Sequence, residues 1–133
     1  MVRQSLSVIS IFFIIFITNI SFSSEKIYGI PKVIDGDTIK IDNFKIRLFG
    51  IDAPEMDQIC QKPWISIKFI SFNKNYKCGE FSSNKLKNYL KGERIYCQIK
   101  GKDRYRRHLG ICYKNKSDIN KWMVANGLAL SYV

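Results

Sequence analysis

The sequence predicts an α+β fold that is mainly β: a small five-stranded barrel carrying two helices, preceded by an N-terminal signal segment. Three observations predict it. Short runs of alternating apolar and polar residues recur along the chain, separated by turn residues. Two other stretches carry apolar residues at helical spacing. The length, 133 residues, has room for one domain with one modest core.

The first two dozen residues stand apart from that fold. Arg3 gives a positive start, residues 8–17 are almost wholly apolar, and Ser21-Phe22-Ser23 has the small-x-small form of a cleavage site. Residues 1–23 are therefore expected to be a signal peptide and residues 24–133 the folded domain. The apolar run is short for a membrane span, which needs about 20 residues, and Asn19 interrupts it. An uncleaved anchor is the alternative. On either reading the domain is exported, as a periplasmic, secreted or cell-surface protein.

Residues 26–34 read as the first strand, with Gly29 and Pro31 marking an irregular or edge position. Asp35-Gly36-Asp37 is a turn signal. Residues 38–41 and 44–48 alternate about Asp42-Asn43, which predicts a hairpin with a two-residue turn. Ile39, Ile41, Phe44, Ile46 and Leu48 share its core face, and Lys40, Lys45 and Arg47 the other. Residues 56–78 read as a long irregular loop. Its stretch 65–72 is too apolar for a free linker and is expected to pack on the barrel or make a short element. A helix is predicted over 79–91, burying Phe81, Leu86 and Leu90, with Gly92 as its stop. Residues 94–100 and 108–113 are two more strands, joined by the polar loop 101–107. Asp118 caps a second helix whose inner face is Ile119, Trp122, Met123 and Leu128, ending near Gly127. Strands and helices in this order suit an OB-fold barrel, an architecture that recurrently binds oligonucleotides.

Four cysteines, an even number in an exported chain, predict two disulfides. If the strands about 97 and 112 pair antiparallel around Arg104-Tyr105, Cys97 falls opposite Cys112, within bridging range. That leaves Cys60–Cys78 to staple the long loop, which contributes roughly 3 kcal/mol by loop closure. A zinc site competes weakly, because no CxxC pair exists and His108, the single histidine, is not at ligand spacing.

The net charge of +11 favours a polyanionic partner, nucleic acid or an anionic membrane. Charge alone says nothing about chemistry. The hairpin register does, because it brings Asp37 and Arg47 to one open end, with Asp52 and Glu55 just beyond it. Asp37 and Asp52 could share one hard cation such as Ca²⁺, with the backbone carbonyl of Ala53 as a third ligand. Phosphodiester hydrolysis gathers negative charge on the non-bridging oxygens, which a cation and two guanidinium groups stabilise. Arg47 and an arginine of the loop Arg104, Arg106 and Arg107 can supply those groups, and Glu55 can direct the attacking water. Tyr105 can stack beside a base. His108 begins a strand beside an arginine and reads as structural.

The segments VIDGDTIKI (33–41), RLFGIDAPE (47–55), GKDRYRRHLG (101–110) and INKWMVANGLALSYV (119–133) resemble the staphylococcal nuclease family. The resemblance spans essentially the whole exported region. It implies a calcium-dependent phosphodiesterase on an OB-fold that leaves 3′-phosphate ends. It also implies metal ligation by Asp37 and Asp52, phosphate contacts from Arg47 and Arg107, Glu55 as base and Tyr105 against the nucleotide. The sequence departs from the family pattern at Ala53, where threonine is common, and at Arg106, where glycine is frequent. The 56–78 loop is longer than in the best-known member, which also continues past the position of Val133 into a third helix.

The leading expectation is a nuclease acting on DNA, RNA or both, as a monomer, with no stable membrane partner once the signal is removed. A catalytically silent nucleic-acid-binding module is the alternative, although no acidic or arginine position has been lost. A basic membrane-surface or scaffolding protein would explain charge and export but leave the acidic cluster idle.

Overall fold

The structure is a computed structural model that describes residues 23–132, with side chains described throughout except at 64–66. All but the last residue of the expected signal segment lies outside the described residues. Among the described residues, no helix is long and apolar enough to cross a membrane.

The barrel is built from β1 (Lys26–Gly29), β2 (Lys32–Asp35), β3 (Thr38–Ile41), β4 (Phe44–Leu48), β8 (Ile95–Lys102) and β9 (His108–Lys114). These follow the order β1-β8-β9-β4-β3-β2. Shorter strands are β5 (Ile51–Asp52), β10 (Ser117–Asp118) and β11 (Leu130–Ser131). Between the two groups of barrel strands stand β6 (Cys60–Ile67), β7 (Ile70–Tyr76) and the helix α1 (Cys78–Leu90); α2 (Ile119–Ala125) follows β10. All barrel pairings are antiparallel except β4 with β9.

The hairpin about Asp42-Asn43 forms as its alternation predicts, pairing Thr38 with Arg47 and Ile41 with Phe44. Asp42 takes a φ of 50°, a conformation its short polar side chain tolerates. Ile39, Ile41, Ile46 and Leu48 are fully buried and pack with Leu86, Leu90, Ile119 and Met123 from the two helices. Phe44 departs from the expected core face. As the last pair before the turn it runs out of partners, and its exposed ring stands edge-on to His108. Phe81 is likewise exposed and faces Tyr76 instead of the core.

The first predicted strand is two. Ile30 and Pro31 interrupt it, and proline cannot donate to a ladder. The consequence is architectural: β1 pairs with β8 at one edge of the sheet, while β2 pairs with β3 at the other. The ladder stays open between these edges, but two residues of chain join them, so one bent segment closes the barrel covalently.

Residues 60–76 are not an irregular loop. They form the β6–β7 hairpin, which pairs only with itself and does not pack on the barrel as a third layer. Its base is stapled by the Cys60–Cys78 disulfide, with Cα atoms 5.6 Å apart. The second disulfide joins Cys97 to Cys112, directly opposed on β8 and β9 and 4.0 Å apart at Cα. Both pairings match the expectation, and two disulfides are the mark of an oxidising compartment.

Asp118 caps α2, its carboxylate accepting from the Lys121 N–H at 3.0 Å. One buried side chain on this helix then ties the barrel together. Asn120 Nδ2 donates to the carbonyls of Phe49 and Gly110, and its Oδ1 accepts the N–H of Cys112. These groups lie where the parallel β4–β9 ladder ends: the Gly110 carbonyl also accepts the Phe49 N–H at 2.8 Å, and the amide serves the Phe49 carbonyl and Cys112 N–H beyond it.

Candidate active site

Asp37 follows the turn Asp35-Gly36, where only glycine fits. A Cβ on Gly36 would lie 2.4 Å from Ser82 Oγ and 2.7 Å from the Ala53 Cβ. That close approach seats the Asp37 carboxylate against the segment after β5. Its Oδ1 accepts from Thr38 Oγ1 at 2.9 Å, and its Oδ2 from the Ala53 N–H at 3.2 Å.

Arg47 lies opposite Thr38 on the hairpin, and its guanidinium bridges two carboxylates. Nη1 is 3.0 Å from Asp37 Oδ2, and Nη2 is 2.7 Å from Asp52 Oδ1. The acids differ sharply in setting, since the Asp37 side chain is 7% exposed and that of Asp52 is 64% exposed. Burial pushes the Asp37 carboxyl up from its ordinary value, and Asp35 adds to this. The Ala53 N–H, the Thr38 hydroxyl and Arg47 pull the other way without cancelling it. Burial acts to lower Arg47, but Asp37, Asp52 and a hydrogen bond with Tyr132 outweigh it and leave the guanidinium more firmly charged. The pair is thus asymmetric: a permanent cation facing a carboxylate that would be easier to protonate than usual.

Asp52 is positioned by β5, which pairs with β11 through Leu130 opposite Asp52 and Ser131 opposite Ile51. The Tyr132 N–H donates to the Gly50 carbonyl at 3.1 Å, continuing this attachment. Glu55 is exposed in the following loop, and its carboxylate has no ion pair among the described residues. Its backbone is held, because the Glu55 N–H donates to Gln58 Oε1 and its carbonyl accepts the Gln58 N–H. The start of α1 presses on the same carbonyl. A Cβ on Gly79 would come within 1.6 Å of Glu55 O.

Arg107 ends the loop between β8 and β9. Its Nε donates to Asp103 Oδ2 at 2.7 Å, while Asp103 Oδ1 accepts the N–H groups of Tyr105 and Arg107. Burial works to raise the Asp103 carboxyl, but these donors and the Arg107 charge bring it below its ordinary value. Arg106 takes a φ of 65°, so the loop turns without the glycine the family pattern favours. Tyr105 is exposed, with the guanidinium groups of Arg104 and Arg107 over its ring at 4.9 and 5.6 Å.

His108 follows directly and faces Ile46 on β4, while Leu109 faces Arg47. Strand rise and spacing then put the backbones of Arg107 and Arg47 about 8 Å apart, within the combined reach of two arginine side chains. Direct contacts unite Asp37, Arg47, Asp52 and Ala53. Glu55 and Arg107 are brought to neighbouring positions without touching that cluster. His108 is held by packing on Phe44, and its buried Nδ1 has no partner among the described residues.

Sequence reasoning assigned no role to Thr38, Gln58, Asp103 or Asn120. Asp103 carried a readable signal, four residues before Arg107 in a loop that must turn back on itself. Asn120 carried none, as an amide on a helix ordinarily reads as surface.

A small OB-type barrel, stapled by two disulfides and bearing an aspartate–arginine–aspartate bridge beside an arginine loop, defines the class of this protein. The family described as staphylococcal nuclease homologue matches residues 45–133, and the chain belongs to that family. It is 34% identical over 110 residues to the succinoglycan biosynthesis protein ExoI of Rhizobium meliloti (strain 1021), covering 81% of this chain and 53% of that protein. An uncharacterized endonuclease of Haemophilus influenzae is 27% identical, over 99% of this chain and 67% of the relative. The thermonuclease of Staphylococcus hyicus is 28% identical, over 83% of this chain and 62% of the relative. The chain therefore spans about half the length of the first of these proteins and under two thirds of the last.

Proposed function

We propose that this chain is an exported, calcium-dependent nuclease, active as a monomer, that hydrolyses phosphodiester bonds of DNA, RNA or both and leaves 3′-phosphate ends. The reading includes removal of residues 1–23. The observation that carries it is the bridge of Arg47 between Asp37 and Asp52, on the rim that the Arg107 loop also borders.

Two carboxylates converging on one positive group form a donor set suited to a hard cation. Asp37 and Asp52 would hold Ca²⁺, with the Ala53 carbonyl beside them. Bound there, the ion supplies Lewis-acid stabilisation of charge on the phosphate. Arg47 and Arg107 grip the non-bridging oxygens, for which the planar fork of arginine is matched. Of the two contacts of Arg47, the exposed one to Asp52 is the cheaper to exchange for phosphate. Glu55, unpaired and exposed, takes a proton from the attacking water. The water oxygen bonds to phosphorus as the bond to the 5′-oxygen breaks, and that oxygen leaves as a hydroxyl protonated from solvent. Tyr105, Arg104 and Arg106 border the path of the strand, with the tyrosine ring offered for stacking.

The test is cleavage of single-stranded DNA and RNA by the disulfide-intact protein in Ca²⁺ and in EDTA, beside an Arg107→Ala control. Calcium-dependent cleavage that the control lacks supports the reading; equal activity in both proteins ends it. A second reading, a silent nucleic-acid-binding module, draws on the occupation of both acids by Arg47. It also draws on the lack, among the described residues, of any cluster of three or more acidic, histidine or cysteine side chains able to hold a metal. Binding that persists in EDTA without turnover would favour it.

A further inference from the structure

The β6–β7 hairpin takes no part in the site, and among the described residues nothing covers its outer end. Ile67, Phe69, Ile70 and Phe72 are 64, 99, 62 and 57% exposed. So large a bare apolar end is uncommon on a protein that meets only water. The register sets Ile67 opposite Ile70, and strand alternation puts Phe72 and Lys74 on the same face as Ile70. Lys62 lies directly opposite Lys74. Like charges so opposed weaken a ladder, and an anion between them removes the penalty. Residues 60–78 contain four lysines and no carboxylate; of these Lys77 is ion-paired, with Glu80, and Lys62 lies over the Tyr76 ring at 5.4 Å, a weak contact that a phosphate can replace.

We propose that this hairpin docks on an anionic lipid bilayer, with Ile67, Phe69 and Ile70 among the acyl chains and Lys62 and Lys74 on headgroup phosphates. The dimensions agree. From Ile70 to Lys74 is about 13 Å of strand, so an apolar end entering by about 5–10 Å leaves the lysines at headgroup level. A nucleic acid strand would meet the lysines and stack on the phenylalanines, but Ile67 and Ile70 gain nothing against a hydrated polyphosphate. A second copy would bring two such lysine sets together with no carboxylate between them. The inference departs from the expectation of no stable membrane partner once the signal is removed. It does not depend on the nuclease reading.

Residues 1–23 are apolar and could bind vesicles themselves, but they are common to every variant compared, so the hairpin is read from the differences that its own substitutions make. Full-chain, disulfide-intact protein carrying Phe69→Trp is mixed with phosphatidylcholine vesicles, with and without phosphatidylglycerol, containing lipids brominated along the acyl chain. Unsubstituted protein supplies the background from Trp64 and Trp122. The added tryptophan is expected to shift to the blue and be quenched on anionic vesicles only. Adding Lys62→Gln and Lys74→Gln should weaken this association about thirtyfold, as loss of about 1 kcal/mol per lysine implies. No quenching beyond background overturns the proposal. A spectral change with a single-stranded oligonucleotide but not with vesicles overturns it in favour of nucleic acid. Concentration-dependent dimers abolished by Phe69→Ser, without quenching, overturn it in favour of a second copy.

Discussion

Asp103 holds Arg107 at two points: one carboxylate oxygen takes the guanidinium Nε at 2.7 Å, and the other takes the backbone N–H at 3.0 Å. Arg107 is thereby fixed in direction before any substrate arrives. Asp103 touches no reacting atom on this reading and acts through the arginine. Asp103→Ala should lower kcat by roughly 10- to 100-fold with little change in KM, since misplacement by about 1 Å costs that much. Asp103→Asn, which keeps one of the two acceptors, should recover part of the loss, whereas a merely structural role would lower Tm in both variants without that split.

Arg107→Lys should not rescue what Arg107→Ala loses. An ammonium group keeps the charge but lacks the planar pair of donors that matches phosphate oxygens. Cleavage of a defined oligonucleotide by both variants should fall by more than about 100-fold, within the range for loss of one transition-state donor.

Asp37 gives a pH dependence with a definite sign. Burial raises its folded-state pKa above the unfolded value of about 3.8. The native state therefore holds the proton more tightly, and stability from this group is present at low pH and lost as pH rises through the raised value. Asp37→Asn should stabilise the fold at neutral pH by a few degrees in Tm, the shift that about 1 kcal/mol produces in a domain of this size. The advantage should vanish below pH 4, and activity should vanish at every pH. Thermal melts across pH, beside an activity assay, check both halves.

Gly79 sets where the Glu55 loop sits. Gly79→Ala would drive a Cβ into the Glu55 carbonyl, and backbone on both sides leaves neither free to yield. The expected cost is about 1–3 kcal/mol of stability in denaturant unfolding, the range for overpacking. A loss of cleavage should persist where the variant is still fully folded, because the loop carrying the proposed base has moved.

The two disulfides should separate under mutation. Replacing both Cys97 and Cys112 by alanine opens a fully buried link and should cost about 3 kcal/mol. Replacing Cys60 and Cys78 releases a hairpin that pairs with no barrel strand, so the barrel transition should move less. Urea unfolding followed by Trp122 fluorescence distinguishes them.

Period-two alternation made the β3–β4 hairpin legible, and with it the meeting of Asp37 and Arg47. Cys97 does face Cys112, as a turn about Arg104-Tyr105 predicts, but by way of a bulge: next to the loop, Gly101 faces Leu109 and Lys102 faces His108, a register centred on Tyr105, and the shift between Ile99 and Gly101 moves it by one before the cysteines. The β6–β7 hairpin was not legible for two local reasons. Its turn is Lys68-Phe69, where a lysine takes φ of 47° in place of glycine or asparagine, and a bulge between Pro63 and Ile65 breaks the alternation. The reach of Arg47 to both acids was only partly legible, since spacing gives neighbours along the chain but not the lengths of side chains. Pro31 was read as an irregularity, although it is the point where one strand changes partners.

The three hydrogen bonds of Asn120 also bear on the order of events at the ribosome. Its partner Phe49 is made 71 residues earlier, so that carbonyl is without this amide until Asn120 has been made. A nascent chain can zip the β3–β4 hairpin at once, but the β4–β9 seam stays unsealed until α2 emerges.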